Sequence, residues 1–262
     1  MHRARKRFGQ NFLQDNGIIY AIVALINPAA DTHIIEIGPG LGALTRPLLA
    51  NLEYLDLLEI DRDLVAYWQQ QNLQGLNVIE GDALQFDFSE WAKQRASHQG
   101  QCKVVGNLPY NISSPLLFHL VSAARQIDEQ VFMLQAEVVE RMVAPAGSSD
   151  FSRLSVMLQA RYHMEQVLEV PPEAFEPQPK VNSAVVRMIP RADFDLSAQE
   201  WSALETIVAS AFAQRRKMLR TNLQTYANCL SLSEEELKSR AQDITVDRYI
   251  SWAKLLANAS SA

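Results

Sequence analysis

The chain has 262 residues, 48% of them hydrophobic and 21% charged, with a formal net charge of −6 and a pI near 5.4. That is enough apolar mass for a large domain, or a large domain with a smaller one, and the acidity argues against a surface wholly devoted to nucleic acid. Cys102 and Cys229 lie far apart without metal-ligand spacing, so neither a disulfide framework nor a metal centre is expected, and no apolar stretch reaches the ~18 residues of a membrane span.

Arg3, Arg5, Lys6 and Arg7 open the chain as a basic cluster free of acids. The apolar run 18–26 follows a possible cap at Asp15 or Asn16 and stops at Asn27-Pro28, so a short buried helix is expected there, not a targeting segment. From Thr32 the pattern alternates. Strands are expected at 33–38, 54–61, 76–83, 102–107 and 130–135, and helices at 41–52, after Asp61, at 114–124 and from Ala136. Such alternation predicts right-handed βαβ units, a mostly parallel sheet and helices on both faces. Residues 171–180 hold four prolines and read as a stiff loop, followed by a late strand at 183–189. Beyond Pro190 the pattern turns helical. The expected division is 1–192, with 1–31 as an N-terminal extension and first helix, and a small α-helical domain over 193–262. A second acid-free basic cluster, Arg215, Arg216, Lys217 and Arg220, falls in that tail. A net acidic protein can still carry local basic footprints of this kind for nucleic-acid phosphates.

Gly38, Gly40 and Gly42 form a G-x-G-x-G loop after the first strand of the alternation. Glycine lets a backbone turn tightly and approach a ligand. Glu59 ends the next strand, where a carboxylate can accept both hydroxyls of a ribose; Asp82 follows the third, placed to accept from an adenine amine. A nicotinamide dinucleotide and S-adenosylmethionine both suit this geometry. Glu36 before the loop and the early third glycine favour the cationic S-adenosylmethionine over a pyrophosphate.

The fourth strand ends in Asn107-Leu108-Pro109-Tyr110, on the same ligand edge. Gly, Asn and Pro also make plain turns. If the target is an adenine N6 amine, the Asn107 oxygen and the Leu108 carbonyl provide two acceptors for its two hydrogens. Pro109 biases Leu108 to an extended backbone, and Tyr110 offers a stacking face. None of the five histidines has an evident partner.

The Asn-Leu-Pro-Tyr segment resembles the signature of N6-adenine methyltransferases. Together with 8–13, 36–45, 153–157, 175–187 and 212–223, it makes nearly the whole chain similar to the KsgA/RsmA family of small-subunit rRNA adenine N6,N6-dimethyltransferases. The resemblance implies a Rossmann-like class I methyltransferase domain, S-adenosylmethionine as methyl donor, and four transfers to two adjacent adenosines near the 3′ end of 16S rRNA in the small subunit or its precursor. It implies a cytoplasmic role in ribosome biogenesis, and a monomer is expected. Asn11 and Leu13 then join Gly38, Gly40, Glu59, Asp82 and Asn107 as cofactor contacts. Phe175 would sandwich the extruded adenine against Tyr110, and Arg5, Lys6, Arg7, Arg215, Arg216, Lys217 and Arg220 would meet RNA phosphates. Two features depart from the family pattern: Ala136 stands where lysine is common, and Phe151-Ser152 where Tyr-Gly is usual. Both imply weaker RNA contact on that side. The rival readings are a large-subunit rRNA adenine methyltransferase of the resistance type and a small-subunit assembly factor that binds without catalysis.

Overall fold

Asp15 starts the first helix by accepting the amide of Ile18 at 2.9 Å, which satisfies one of the orphan donors of a helix N-terminus. In the computed structural model, which describes residues 11–96, 100–193 and 196–259, this helix α1 (Asn16–Ile26) follows a short strand β1 (Phe12–Leu13) and buries Ile19, Ile22, Val23 and Ile26. The alternating region then runs β2 (His33–Ile37), α2 (Thr45–Leu49), β3 (Leu55–Glu59), α3 (Arg62–Gln70), β4 (Leu76–Glu80), α4 (Phe88–Ala96), β5 (Cys102–Asn107), α5 (Ser113–Val121), β6 (Glu129–Gln135) and α6 (Ala136–Val143). There follow α7 (Arg153–Gln159), β7 (Tyr162–Val170), β8 (Phe175–Glu176) and β9 (Ser183–Pro190). The tail comprises α8 (Ala198–Ala211), α9 (Leu219–Asn222), α10 (Ala227–Leu230), α11 (Glu234–Lys238) and α12 (Val246–Ala259).

Seven strands form one sheet in the order β4-β3-β2-β5-β6-β9-β7. The pairs β3–β4, β2–β3, β2–β5 and β5–β6 are parallel, and β9 joins β6 antiparallel. This is the mostly parallel sheet expected. Strands covered on both faces read as near-continuous apolar runs, and Ile34, Ile35, Leu55, Leu57, Val104 and Val105 are all buried. The strand order reverses between β2 and β5, which is where open α/β sheets leave a crevice at the carboxyl ends of their strands.

At the amino end of the sheet, buried charges are neutralised. The Lys103 ammonium lies 2.7 Å from Glu129 and 2.7 Å from the Ile26 carbonyl, and Arg187 also bonds Glu129. Asp56 accepts from Arg95, the Trp91 indole and the Asn77 amide.

Several elements differ from expectation. Helix α2 is short because the chain turns through Leu41–Leu44 around Gly42, whose φ is +93°, before it can coil. The tail is not helical throughout 197–223. It breaks after Ala211, where the Asn222 side chain donates to the carbonyls of Ala211 (2.6 Å) and Gln214 (3.1 Å) and so caps α8. The proline-rich loop contains one 3₁₀ turn, Pro172–Ala174, and the short β8, which pairs with β1 (Leu13 opposite Phe175).

The chain divides into two compact units, Met1–Val139 with Met164–Pro190, and Glu140–His163 with Arg191–Ala262. The expected contiguous division at 192/193 therefore differs in its treatment of 140–163, which belongs to the second unit. The reason is packing: Phe151 is fully buried 6.4 Å from Phe212, the Gly147 amide bonds the Gln242 carbonyl, and Arg215 donates to Ser149. Phe151 is thus a core residue of that unit, not a departure on an RNA-facing surface, and Ser152 caps α7.

Candidate active site

The carboxyl ends of β2, β3, β4 and β5 surround a cavity of about 550 Å³. Gly38, Gly40, Glu59, Asp82, Asn107, Leu108, Pro109, Tyr110, Asn11 and Leu13, all expected from the sequence as site residues, line it together.

The glycine loop is held by an indole. Trp68 Nε1 donates to the Gly40 carbonyl at 3.0 Å, and a Cβ on Gly42 would fall 2.4 Å from the Trp68 ring. Only glycine permits both that approach and the positive φ. The Arg46 guanidinium lies 5.6 Å over the same ring, a cation–π contact, and Arg46 also lines the cavity.

Three acids line the cavity: Glu36, Glu59 and Asp82. Glu36 is buried, and burial pushes its carboxyl up to about 7; the Thr45 hydroxyl, donating at 2.7 Å, opposes that rise and the charge of Glu59 adds to it. Burial also raises Glu59, against the amides of Asp61 and Ile60, which both donate to its Oε1 at 2.9 Å. A carboxylate has about four acceptor positions, so these bonds fix Glu59 while leaving capacity for a diol. Among the described residues no cation pairs with Glu36 or Glu59. With three acids against Arg46 in its lining, the cavity favours a positively charged ligand over an anionic one. Asp82 accepts the Leu84 amide at 2.9 Å in a tight turn, which sets its carboxylate at the end of β4.

On the other side of the crevice, the Asn107 amide nitrogen donates to the Asn11 carbonyl at 3.1 Å. A carbonyl partner requires the NH₂ end, so the Asn107 oxygen is turned away from it, available as an acceptor. The Leu108 amide donates to the Met133 carbonyl at 3.1 Å, tying the turn to β6. Tyr110 is half-buried, its hydroxyl raised by burial and placed 2.7 Å from that of Ser183.

Phe175 is not brought to the cavity. It is 3% exposed, packed in the core with Leu13 and Ile19, because β8 pairs with β1. No second aromatic face opposes Tyr110 from that position. Arg215, Arg216, Lys217 and Arg220 are exposed, in and just after the turn between α8 and α9, and among the described residues none forms an ion pair. Arg5, Lys6 and Arg7 lie outside the described residues. Among the described residues no group of three His, Cys, Asp or Glu is placed to hold a metal, and no helix is long and apolar enough to cross a membrane.

Sequence reasoning missed Ile60 and Arg46, which line the cavity, and Trp68, which holds its glycine loop. Ile60 is 49% exposed and lines the pocket beside Glu59, an apolar face suited to a base. An isoleucine stranded between a strand-end acid and a helix cap was the signal for it. Trp68 and Arg46 had no such signal, because their roles depend on α3 packing against the glycine loop.

A cavity of this kind, at the switch point of a sheet of this order, is the working half of a class I methyltransferase. The model of the ribosomal RNA adenine dimethylase family matches residues 1–258. A ribosomal RNA small subunit methyltransferase A from Burkholderia mallei is 51% identical over 267 aligned residues, spanning 100% of this chain and 96% of that protein. The chain belongs to the ribosomal RNA adenine dimethylase family. The fold is shared with a dimethyladenosine transferase from Plasmodium falciparum (TM-score 0.75, 23% identity, 92% of this chain and 95% of that one) and with the 23S rRNA methyltransferase ErmE (TM-score 0.68, 22% identity, 94% and 99%).

Proposed function

We propose that this enzyme transfers methyl groups from S-adenosylmethionine to N6 of two adjacent adenosines near the 3′ end of 16S rRNA, in the small ribosomal subunit or its precursor. It acts as a monomer in the cytoplasm, as a step of ribosome biogenesis. The family and the 51% identical small-subunit relative support the substrate. The observation that carries the chemistry is the orientation of Asn107: its nitrogen is engaged by Asn11, which leaves its oxygen to accept.

S-adenosylmethionine fits the donor set, because its cationic groups suit a lining with three acids, Glu36, Glu59 and Asp82, against one cation, Arg46, where a pyrophosphate would be disfavoured. When bound, it supplies an electrophilic methyl group. Glu59 would accept the ribose hydroxyls, Asp82 the adenine amine, and Gly38, Gly40, Asn11 and Leu13 would shape the rest of that subsite. For the target base, extruded from its stack, the Asn107 oxygen and the Leu108 carbonyl accept the two N6 hydrogens. That favours a pyramidal nitrogen with an available lone pair. Pro109 fixes the direction of the Leu108 carbonyl, and its own carbonyl is held by the Ser113 hydroxyl at 3.1 Å. Tyr110 stacks on the base and faces the positive charge that grows on the amine. Positioning of this kind supplies most of the acceleration. Arg216, Lys217 and Arg220 contact RNA phosphates without reading sequence.

The test is methyl transfer from labelled S-adenosylmethionine to unmethylated small subunits, mapped by mass spectrometry of rRNA fragments, with Asn107→Ala as control. Dimethyladenosine at two adjacent 3′ positions, lost in the control, is the expected result. Transfer to large-subunit rRNA instead would establish the resistance-type activity. Particle binding without transfer to either RNA would leave an assembly factor.

A further inference from the structure

Ser183 opens β9 and has no exposed surface. Its hydroxyl lies 2.7 Å from the Tyr110 hydroxyl. The sheet register explains the reach. Ser183 pairs with Gln135 at the end of β6, and on the opposite side of β6 Asn107 pairs with Met133. Tyr110 therefore extends over the end of β6 to a buried partner on the strand beyond. A tyrosine hydroxyl lies on the axis of its ring, so anchoring it fixes the direction in which the ring points from the backbone.

We infer that Ser183 is a positioning residue that acts through Tyr110, and that its effect falls mainly on the second methyl transfer to each adenosine. This rests on the adenine dimethylation proposed above. An unmethylated N6 amine presents two hydrogens, one for the Asn107 oxygen and one for the Leu108 carbonyl. After the first transfer a methyl group replaces one hydrogen, and one of those two bonds is gone. Stacking on Tyr110 then carries a larger share of the orientation. In the second transfer the N6 lone pair forms a bond to the methyl carbon, the methyl–sulfur bond breaks with its electrons remaining on sulfur, and the last N6 proton leaves to water. A misdirected ring slows this step more than the first, which still has two acceptors to hold the base.

The experiment measures the ratio of N6-monomethyl- to N6,N6-dimethyladenosine made on unmethylated small subunits by wild type, Ser183→Ala, Tyr110→Phe and the double variant. Tyr110→Phe removes the same hydrogen bond while keeping the ring, so it covers the case in which Ser183→Ala fails to fold. The loss of one neutral hydrogen bond corresponds to about a fivefold higher monomethyl share in each single variant. In Ser183→Ala the first transfer and the KM for S-adenosylmethionine should be nearly unchanged, and the double variant should have a monomethyl share no higher than Tyr110→Phe alone. An unchanged ratio in Tyr110→Phe, equal slowing of both transfers, or additive effects in the double variant overturn the inference. A wild-type enzyme that makes no dimethyladenosine overturns the function on which it rests, and the inference with it.

Discussion

The two ends of the central sheet treat buried carboxylates in opposite ways. At the amino end, Glu129 meets Lys103 and Arg187, and Asp56 meets Arg95. At the carboxyl end, Glu36 and Glu59 have a hydroxyl and backbone amides as partners, and burial pushes both upward. Charge already neutralised within the protein holds the scaffold together. Charge left without a counter-ion is electrostatic capacity kept for a ligand, and perturbed acids in a cleft mark function for that reason.

The largest test of this division is at the amino end. Lys103→Met leaves Glu129 short of a cation and should lower stability to urea by about 3–5 kcal/mol, with cofactor affinity unchanged. A parallel loss of affinity would break the comparison. Next is Glu36. It holds its proton to about pH 7 in the folded protein, against a value of 4.5 in the unfolded chain. Between these values the folded state binds more protons, so the stability of the wild-type apoprotein falls as pH rises. Glu36→Gln cannot ionise. Relative to wild type it should gain about 3 kcal/mol between pH 4.5 and pH 8, read by denaturant melts in the absence of cofactor. Third, Asn107→Ala should lower kcat about 10²-fold with little change in melting temperature, because it removes an acceptor placed for the transition state. Fourth, Trp68→Phe keeps an aromatic ring but loses the indole N–H that bonds Gly40. Calorimetry with S-adenosylhomocysteine should show affinity about fivefold weaker, with kcat at saturation preserved. The smallest effect lies away from both ends. Arg216→Ala and Lys217→Ala should each reduce the slope of log affinity for RNA against log salt by about 0.7–0.9.

Much of the sheet was legible because parallel strands announce themselves as apolar runs followed by helical periodicity. Strand β5 begins and ends where its residues predict. The acids and glycines of the site were legible for a related reason, since strand ends on one edge share a cavity whatever the loops do. Other features were not. Phe175 stands in a proline-stiffened loop, as a clamp residue should, yet a two-residue pairing with β1 sends it into the core. The basic cluster has helical composition, and only the Asn222 amide, contributed from α9, shows that the chain turns there. Residues 140–163 join the second unit through the Phe151–Phe212 contact, a pairing no local pattern encodes. For Phe175 and for 140–163 a contact distant in sequence overrides local propensity, and at the basic cluster a side chain from the next helix does so.

The polar contacts that aim the catalytic turn reach far along the chain. Asn107 depends on a carbonyl 96 residues earlier and Tyr110 on a hydroxyl 73 residues later. Contacts of such separation form late, after most of the loop-closure entropy has been overcome. During synthesis the glycine loop and its acids leave the ribosome long before Ser183 does. A nascent chain that includes β2 to β6 but ends short of β9 therefore has the residues of the cofactor wall without the hydroxyl that anchors Tyr110. The contact that aims Tyr110 is thus the last of these to become available, and chains cut before β9 should lack the anchor of the tyrosine even where the glycine loop has formed.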